Sequence, residues 1–191
     1  MNTTQAPVGD TARLFLALWP DNALRLALLA WREAWHWPAS AVLVPPEYFH
    51  LTLHFLGNVP VSRLPELTGL AELAQGLGAP CEPFALNFGH GALWPHGIAV
   101  LQPGEPNLPA RPDAVPPPLA RLHHALLLAL TRLALPTESR AFRPHITLAR
   151  HAQTALPPAQ GPALRWAIDG YALVRSWPEK TGGYSVVRRY A

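Results

Sequence analysis

Two short stretches of this sequence carry the same chemistry in the same order: His50-Leu51-Thr52-Leu53 and His145-Ile146-Thr147-Leu148. Residues i and i+2 of a β-strand face one side, so each stretch presents an imidazole and a hydroxyl together, with aliphatic residues on the opposite face. If the two strands met at a cleft, two imidazoles and two hydroxyl donors would surround one anion. That set suits in-line hydrolysis of a phosphodiester without a metal. One neutral imidazole takes a proton from the attacking water, and the other, protonated, gives one to the departing oxygen. The ordinary histidine pKa near 6.5 makes both forms available around neutrality. Each transfer is worth about 10²–10⁴-fold, and the two groups would titrate as a coupled pair with a bell-shaped rate profile. A single histidine near a threonine in a strand is ordinarily a half-buried, hydrogen-bonded side chain. Two copies with matching polar and aliphatic positions, 95 residues apart, point to function.

Other candidate chemistries are weaker. His50 and His54 lie four residues apart, about 13 Å along a strand at roughly 3.3 Å per residue, too far to chelate one ion. Strand alternation puts His54 on the His50 face, where it reads as a rim residue. His123-His124 falls in a helix and reads as solvated. Gly89-His90-Gly91 lacks the third glycine of a dinucleotide loop, and no glycine-rich phosphate loop ends in Lys-Ser or Lys-Thr. The 12 acidic residues are scattered, and no Ser or Cys has a nucleophile-elbow context. Arg165, Arg175, Arg188 and Arg189 fit either a basic surface that steers RNA or a charged strand edge.

The elements around the motifs follow from pattern. Arg13–Trp19 reads as a buried strand stopped by Pro20, and Asp21 or Asn22 caps a helix running to about Trp35. Tyr48–Leu56 alternates as a strand and ends at Gly57-Asn58. Val61–Leu77 has helical leucine spacing. Phe84–Gly91 and Ile98–Leu101 read as strands flanking a Trp94-Pro95-His96 loop. Gln102–Pro118 is a proline-dense connection bordering a cleft, and Leu119–Leu135 is a third helix. Strands at His145–Ala149, Arg165–Trp177 and Tyr184–Tyr190 follow, the last two joined by a turn at Glu179–Gly183. Recurring hairpins favour an α+β fold of mostly antiparallel sheet over a doubly wound one, with two comparable lobes.

At 191 residues, 49% apolar and 14% charged, the chain suits one globular domain spanning 1–191, with residues 1–12 a flexible N-terminus. The formal charge of +3 suits an anionic ligand without being a nucleic-acid footprint by itself. Cys81 is the only cysteine, so no intrachain disulfide forms, and a reducing cytoplasm fits. The N-terminus lacks a secretory pattern, and the richest apolar stretch is interrupted by Arg121, His123, His124 and Arg132, so no membrane span is expected.

The sequence resembles the two-histidine phosphoesterase superfamily, and within it the bacterial and archaeal RNA 2′,3′-cyclic phosphodiesterases, historically called 2′-5′ RNA ligases. The likeness rests on Arg13-Leu14-Phe15-Leu16-Ala17-Leu18, on His50 to Gly57, on Phe142 to Arg150, and on a closing Tyr184 hairpin. It implies a bilobal fold, with helices outside and a central cleft, that opens a 2′,3′-cyclic phosphate to a 2′-phosphomonoester. It further implies His50 as proton donor and His145 as acceptor, with Thr52 and Thr147 on the phosphate, no cofactor and no obligate protein partner. Arg150 would meet phosphate and Phe55 a base, although strict alternation puts Phe55 on the apolar face. RNA ends or small cyclic-phosphate nucleotides are the expected ligands. ADP-ribose 1″,2″-cyclic phosphate, a 2′-5′ linked oligonucleotide, or a role as an RNA-binding module with weak 2′-5′ ligation remain as alternatives.

Overall fold

A computed structural model of the chain describes residues 10–80, 82–104, 114–177 and 183–191. In chain order its elements are β1 (Thr11–Leu18), α1 (Asn22–Glu33), β2 (Val42–Leu43), β3 (Leu51–Pro60), α2 (Leu70–Gln75), β4 (Phe84–Trp94) and β5 (Ile98–Pro103). Then come α3 (Pro117–Arg132), β6 (Ile146–Arg150), β7 (Leu164–Ile168), β8 (Tyr171–Ser176) and β9 (Tyr184–Tyr190). The strands form one sheet in the order β7-β4-β5-β6-β3-β1-β8-β9, with β2 also paired to β6, and every pairing is antiparallel. The fold is α+β, as expected.

The two expected lobes are the two halves of this sheet. β7-β4-β5-β6 and β3-β1-β8-β9 meet at a single residue pair, Leu51 with Ile146. The chain path repeats across that seam: β1, α1 and β3 run strand, helix, central strand, as do β5, α3 and β6. Beyond the shared pair, β2 takes over the edge of β6. Val42 pairs with Arg150 and Leu43 with Ala149, and the Val44 N–H donates to the Leu148 carbonyl at 2.9 Å. The central strands therefore splay, and a cleft opens between them.

Local chemistry accounts for the helices. The Asp21 carboxylate accepts the Leu24 N–H at 2.8 Å and caps α1. α3 starts on prolines, which need no helical donor, and buries Leu119, Leu122, Leu126 and Leu130 in the main core. Burial of one such side chain is worth about 1.5–3 kcal/mol. Gly91 on β4 has no room for a side chain, because Trp31 and Trp35 lie 2.6 and 2.7 Å from where a Cβ would stand.

Several expectations need correction. Val61–Leu77 is not one helix: Val61–Leu67 is a 3₁₀ turn containing Pro65, and α2 starts only after Gly69, since proline and glycine interrupt the α-helical ladder. Gly57-Asn58 does not end β3. Gly57 takes φ of 69°, lets Leu56 bulge from the β1 pairing, and the strand continues to Pro60. Arg165–Trp177 is two strands, broken at Asp169-Gly170, and β7 and β8 sit in opposite halves of the sheet. The loop at Trp94-Pro95-His96 is a tight 3₁₀ turn joining β4 to β5. Thr11 and Ala12 pair with Pro60 and Val59, so they belong to the sheet rather than to a flexible N-terminus. Residues 1–9, Cys81, most of the proline-dense connection and the turn at 178–182 lie outside the described residues. Among the described residues no helix is long and apolar enough to cross a membrane.

Candidate active site

His50 and His145 each stand one residue before a central strand, β3 and β6 respectively, instead of inside it. One step either side of the Leu51–Ile146 pair, antiparallel register sets His50 across from Thr147 and His145 across from Thr52. The register thus brings each histidine opposite the threonine of the other motif as well as two residues before its own. His50, Thr52, His145 and Thr147 line one cleft of about 220 Å³, together with Arg13, Phe15, Val44, Tyr48, Phe55, Arg150, Ser176 and Tyr184.

The same backbone irregularity follows both motifs. Along β3, Ala17 pairs with Thr52 and Leu16 with His54, leaving Leu53 as an extra residue. Along β6, Val100 pairs with Thr147 and Ala99 with Ala149, leaving Leu148 as an extra residue. A bulge of one residue inverts the alternation beyond it. Hence Phe55 and Arg150, each five residues after its histidine, turn into the cleft. His54 and Ala149 turn away.

His54 is consequently not the rim residue that alternation suggests. It is 4% exposed, lies under α3 and stacks on His123 at 4.1 Å, and its Nε2–H donates to the His123 carbonyl at 2.9 Å. His123 in turn stacks on Phe142 at 4.0 Å, so it is not the freely solvated residue expected. Burial lowers the pKa of both imidazoles, His123 to about 4.

Both motif histidines are oriented alike. His50 Nδ1 lies 2.6 Å from the Tyr48 carbonyl and His145 Nδ1 lies 2.7 Å from the Arg143 carbonyl, in each case two residues upstream. A carbonyl only accepts, so Nδ1 carries the hydrogen and Nε2 is left to exchange protons in the cleft. The carbonyls are held in turn. Phe142, stacked on His123, anchors the segment before Arg143. On the other side, the buried Arg32 donates to the Val44 carbonyl at 2.6 Å and lies 5.6 Å from the Phe49 ring centre.

The surroundings differ. His50 is enclosed by aromatic rings: Phe15 at 5.0 Å, Trp19 stacked at 5.6 Å and Tyr184 edge-on at 5.2 Å. Burial there pushes its pKa down to about 4, with smaller downward effects of His145 and Arg150 against the upward effect of the Tyr48 carbonyl. His145 contacts one ring, Trp94 at 4.4 Å, itself capped by the Arg143 guanidinium at 4.5 Å. Its pKa is also lowered, by burial and then by Arg150 and Arg143 against its carbonyl bond. The aromatic enclosure, Arg32 and Trp94 were not singled out from sequence as site residues. They come from elements distant in sequence and carry no local pattern; only Phe15 and Tyr184 had a signal, through the family likeness.

A curled antiparallel sheet whose two central strands bring paired His-x-Thr motifs to one cleft is the build of a two-histidine phosphoesterase. The model of the 2′-5′ RNA ligase superfamily matches residues 20–176, and the chain belongs to that family. It is 31% identical to an RNA 2′,3′-cyclic phosphodiesterase of Thermus thermophilus, across 94% of this chain and 89% of that protein. It is 27% identical to the RNA 2′,3′-cyclic phosphodiesterase of Escherichia coli, across 96% and 98%. Among solved structures, Escherichia coli LigT complexed with 3′-AMP superposes with a TM-score of 0.74 at 26% identity, covering 95% of this chain and 98% of that one.

Proposed function

We propose that this enzyme opens 2′,3′-cyclic phosphates at RNA ends to 2′-phosphomonoesters, using His50 as general acid and His145 as general base. The observation that carries the reading is the pair of imidazoles, each with Nδ1–H tied to a carbonyl and Nε2 left for the same cleft. The names of the curated relatives support the substrate. Water attacks phosphorus as the P–O3′ bond breaks; His145 Nε2 takes the water proton and His50 Nε2–H protonates O3′. Thr52 and Thr147 donate to non-bridging oxygens, and Arg150 balances the charge that builds there.

Burial pushes both imidazoles toward the neutral form, and Arg150 acts in the same direction on each. For His50 burial among rings is the main cause, and a bound phosphate anion supplies the charge that restores its proton. At His145 the charges of Arg150 and Arg143 add to burial in favouring the neutral form that a base requires. A substrate of this kind and a lone cysteine support a reading in which the enzyme works in the cytoplasm.

The test is hydrolysis of a cyclic-phosphate oligonucleotide in EDTA, resolving 2′- from 3′-phosphate product. His50→Ala and His145→Ala should each lower kcat/KM by about 10²–10⁴-fold, and the double variant should lose little more, because the two act as a unit. Full activity in both single variants, or a 3′-phosphate product, would overturn the reading. Running ADP-ribose 1″,2″-cyclic phosphate and 2′-5′ linked oligonucleotides alongside ranks the alternative diesters.

A further inference from the structure

A second hollow, of about 300 Å³, opens between β2 and the β8–β9 hairpin. It shares Val44, Tyr48, Arg150, Ser176 and Tyr184 with the catalytic cleft, so the two are continuous. Both of its sides carry exposed apolar residues: Val42 is 58% and Leu43 37% accessible to solvent on β2, and Trp177 is 45% accessible on the hairpin.

Trp177 is exposed but held. Its indole N–H donates to the Ser185 hydroxyl at 3.0 Å and its backbone N–H to the Gly183 carbonyl at 3.0 Å, while the Arg175 guanidinium lies 3.9 Å from the ring centre. A fixed ring loses little entropy when a planar ligand stacks on it. Among the described residues no Asp or Glu lines either hollow, and Arg150 stands where they join. Held aromatic, flanking cations and no acid match a base with its phosphate, as in single-strand binding.

We propose that this hollow receives the penultimate nucleotide of the RNA end, its base on Trp177 and its linking phosphate crossing the shared mouth beside Arg150. The inference rests on the function proposed above and makes the enzyme selective for oligonucleotide over mononucleotide cyclic phosphates.

The test compares adenosine 2′,3′-cyclic phosphate with the diadenosine dinucleotide ending in the same cyclic group, for wild type, Trp177→Ala and Trp177→Phe. Base–aromatic stacking predicts that wild type prefers the dinucleotide by about 5- to 150-fold, mainly through KM. Trp177→Ala should erase that preference by losing only the dinucleotide's advantage, and Trp177→Phe should keep most of it. Equal kcat/KM on both substrates in wild type, or an undiminished preference in Trp177→Ala, overturns the subsite and leaves the hydrolase standing. A wild type that opens neither substrate overturns both.

Discussion

The two halves of the cleft share a backbone and differ in what surrounds it. In each, a histidine precedes the central strand, a carbonyl two residues upstream holds Nδ1, a threonine follows, and a bulge turns the fifth residue inward. Yet His50 is enclosed by Phe15, Trp19 and Tyr184, whereas His145 contacts Trp94, on whose ring the Arg143 guanidinium lies. The inward fifth residue is Phe55 on one side and Arg150 on the other. Backbone repetition aims two identical groups into one cleft, and their unlike surroundings are the structural difference on which the proposed acid and base roles rest.

The largest effect that would break this comparison is in pH. Burial pushes the pKa of His50 down to about 4, and a bound anion raises it. Between those two values, binding takes up a proton, so affinity falls by up to about tenfold for each unit that pH rises. Sulfate isolates the enzyme's contribution because its own charge is constant over the range. Its affinity, measured by competition, should fall by up to about 100-fold from pH 5 to 7. His50→Gln should flatten most of that slope and His145→Gln much less. Equal flattening by both would show that aromatic enclosure does not distinguish the two imidazoles.

A second test exchanges the unlike inward residues for the same one. On the proposed roles, Arg150→Ala removes a cation from the phosphate and should cost about 10²-fold in kcat/KM on every cyclic phosphate, felt in kcat. Phe55→Ala removes only a surface for the base and should cost about 5- to 20-fold, felt in KM. Comparable losses in the same parameter would mean that the two positions do one job.

The doubled motif, the strand period, the α1 cap and the α3 stripe were all legible because each is a local pattern. The bulges were not. Whether Leu53 or Leu148 is an extra residue depends on what the partner strand offers, and nothing in His50 to Leu56 itself signals the inversion. That one omission misplaced His54 and set the apolar reading of Phe55 against the family likeness. The division of Arg165–Trp177 hung on the short Asp169-Gly170 break, and β2 is only two residues long, too short for any period. The rings around His50 come from β1, the residue after it, and β9, brought together only by sheet order.

The fourth residue after each histidine gives the smallest and most separable effect. Ala149 has no counterpart to the His54–His123–Phe142 stack beneath the first motif. His123 is lowered to about 4 by burial, with His54 and His124 adding repulsion, so the folded state holds it neutral where the unfolded chain would protonate it. Its folded pKa lies below 6.5, so its contribution to stability is complete above pH 6.5 and is lost as pH falls toward 4. Partial exposure trims the size to about 1–2 kcal/mol by pH 5. His123→Phe keeps a ring between His54 and Phe142 without a titrating group. Urea unfolding at pH 7.5 and 5 should show the variant losing about 1–2 kcal/mol less than wild type over that interval, with hydrolysis at pH 7.5 largely kept. His54 and His50 remain to titrate, so some acid loss persists in both proteins. An identical loss in both would place the acid sensitivity in His50, His54 and His145 instead of His123.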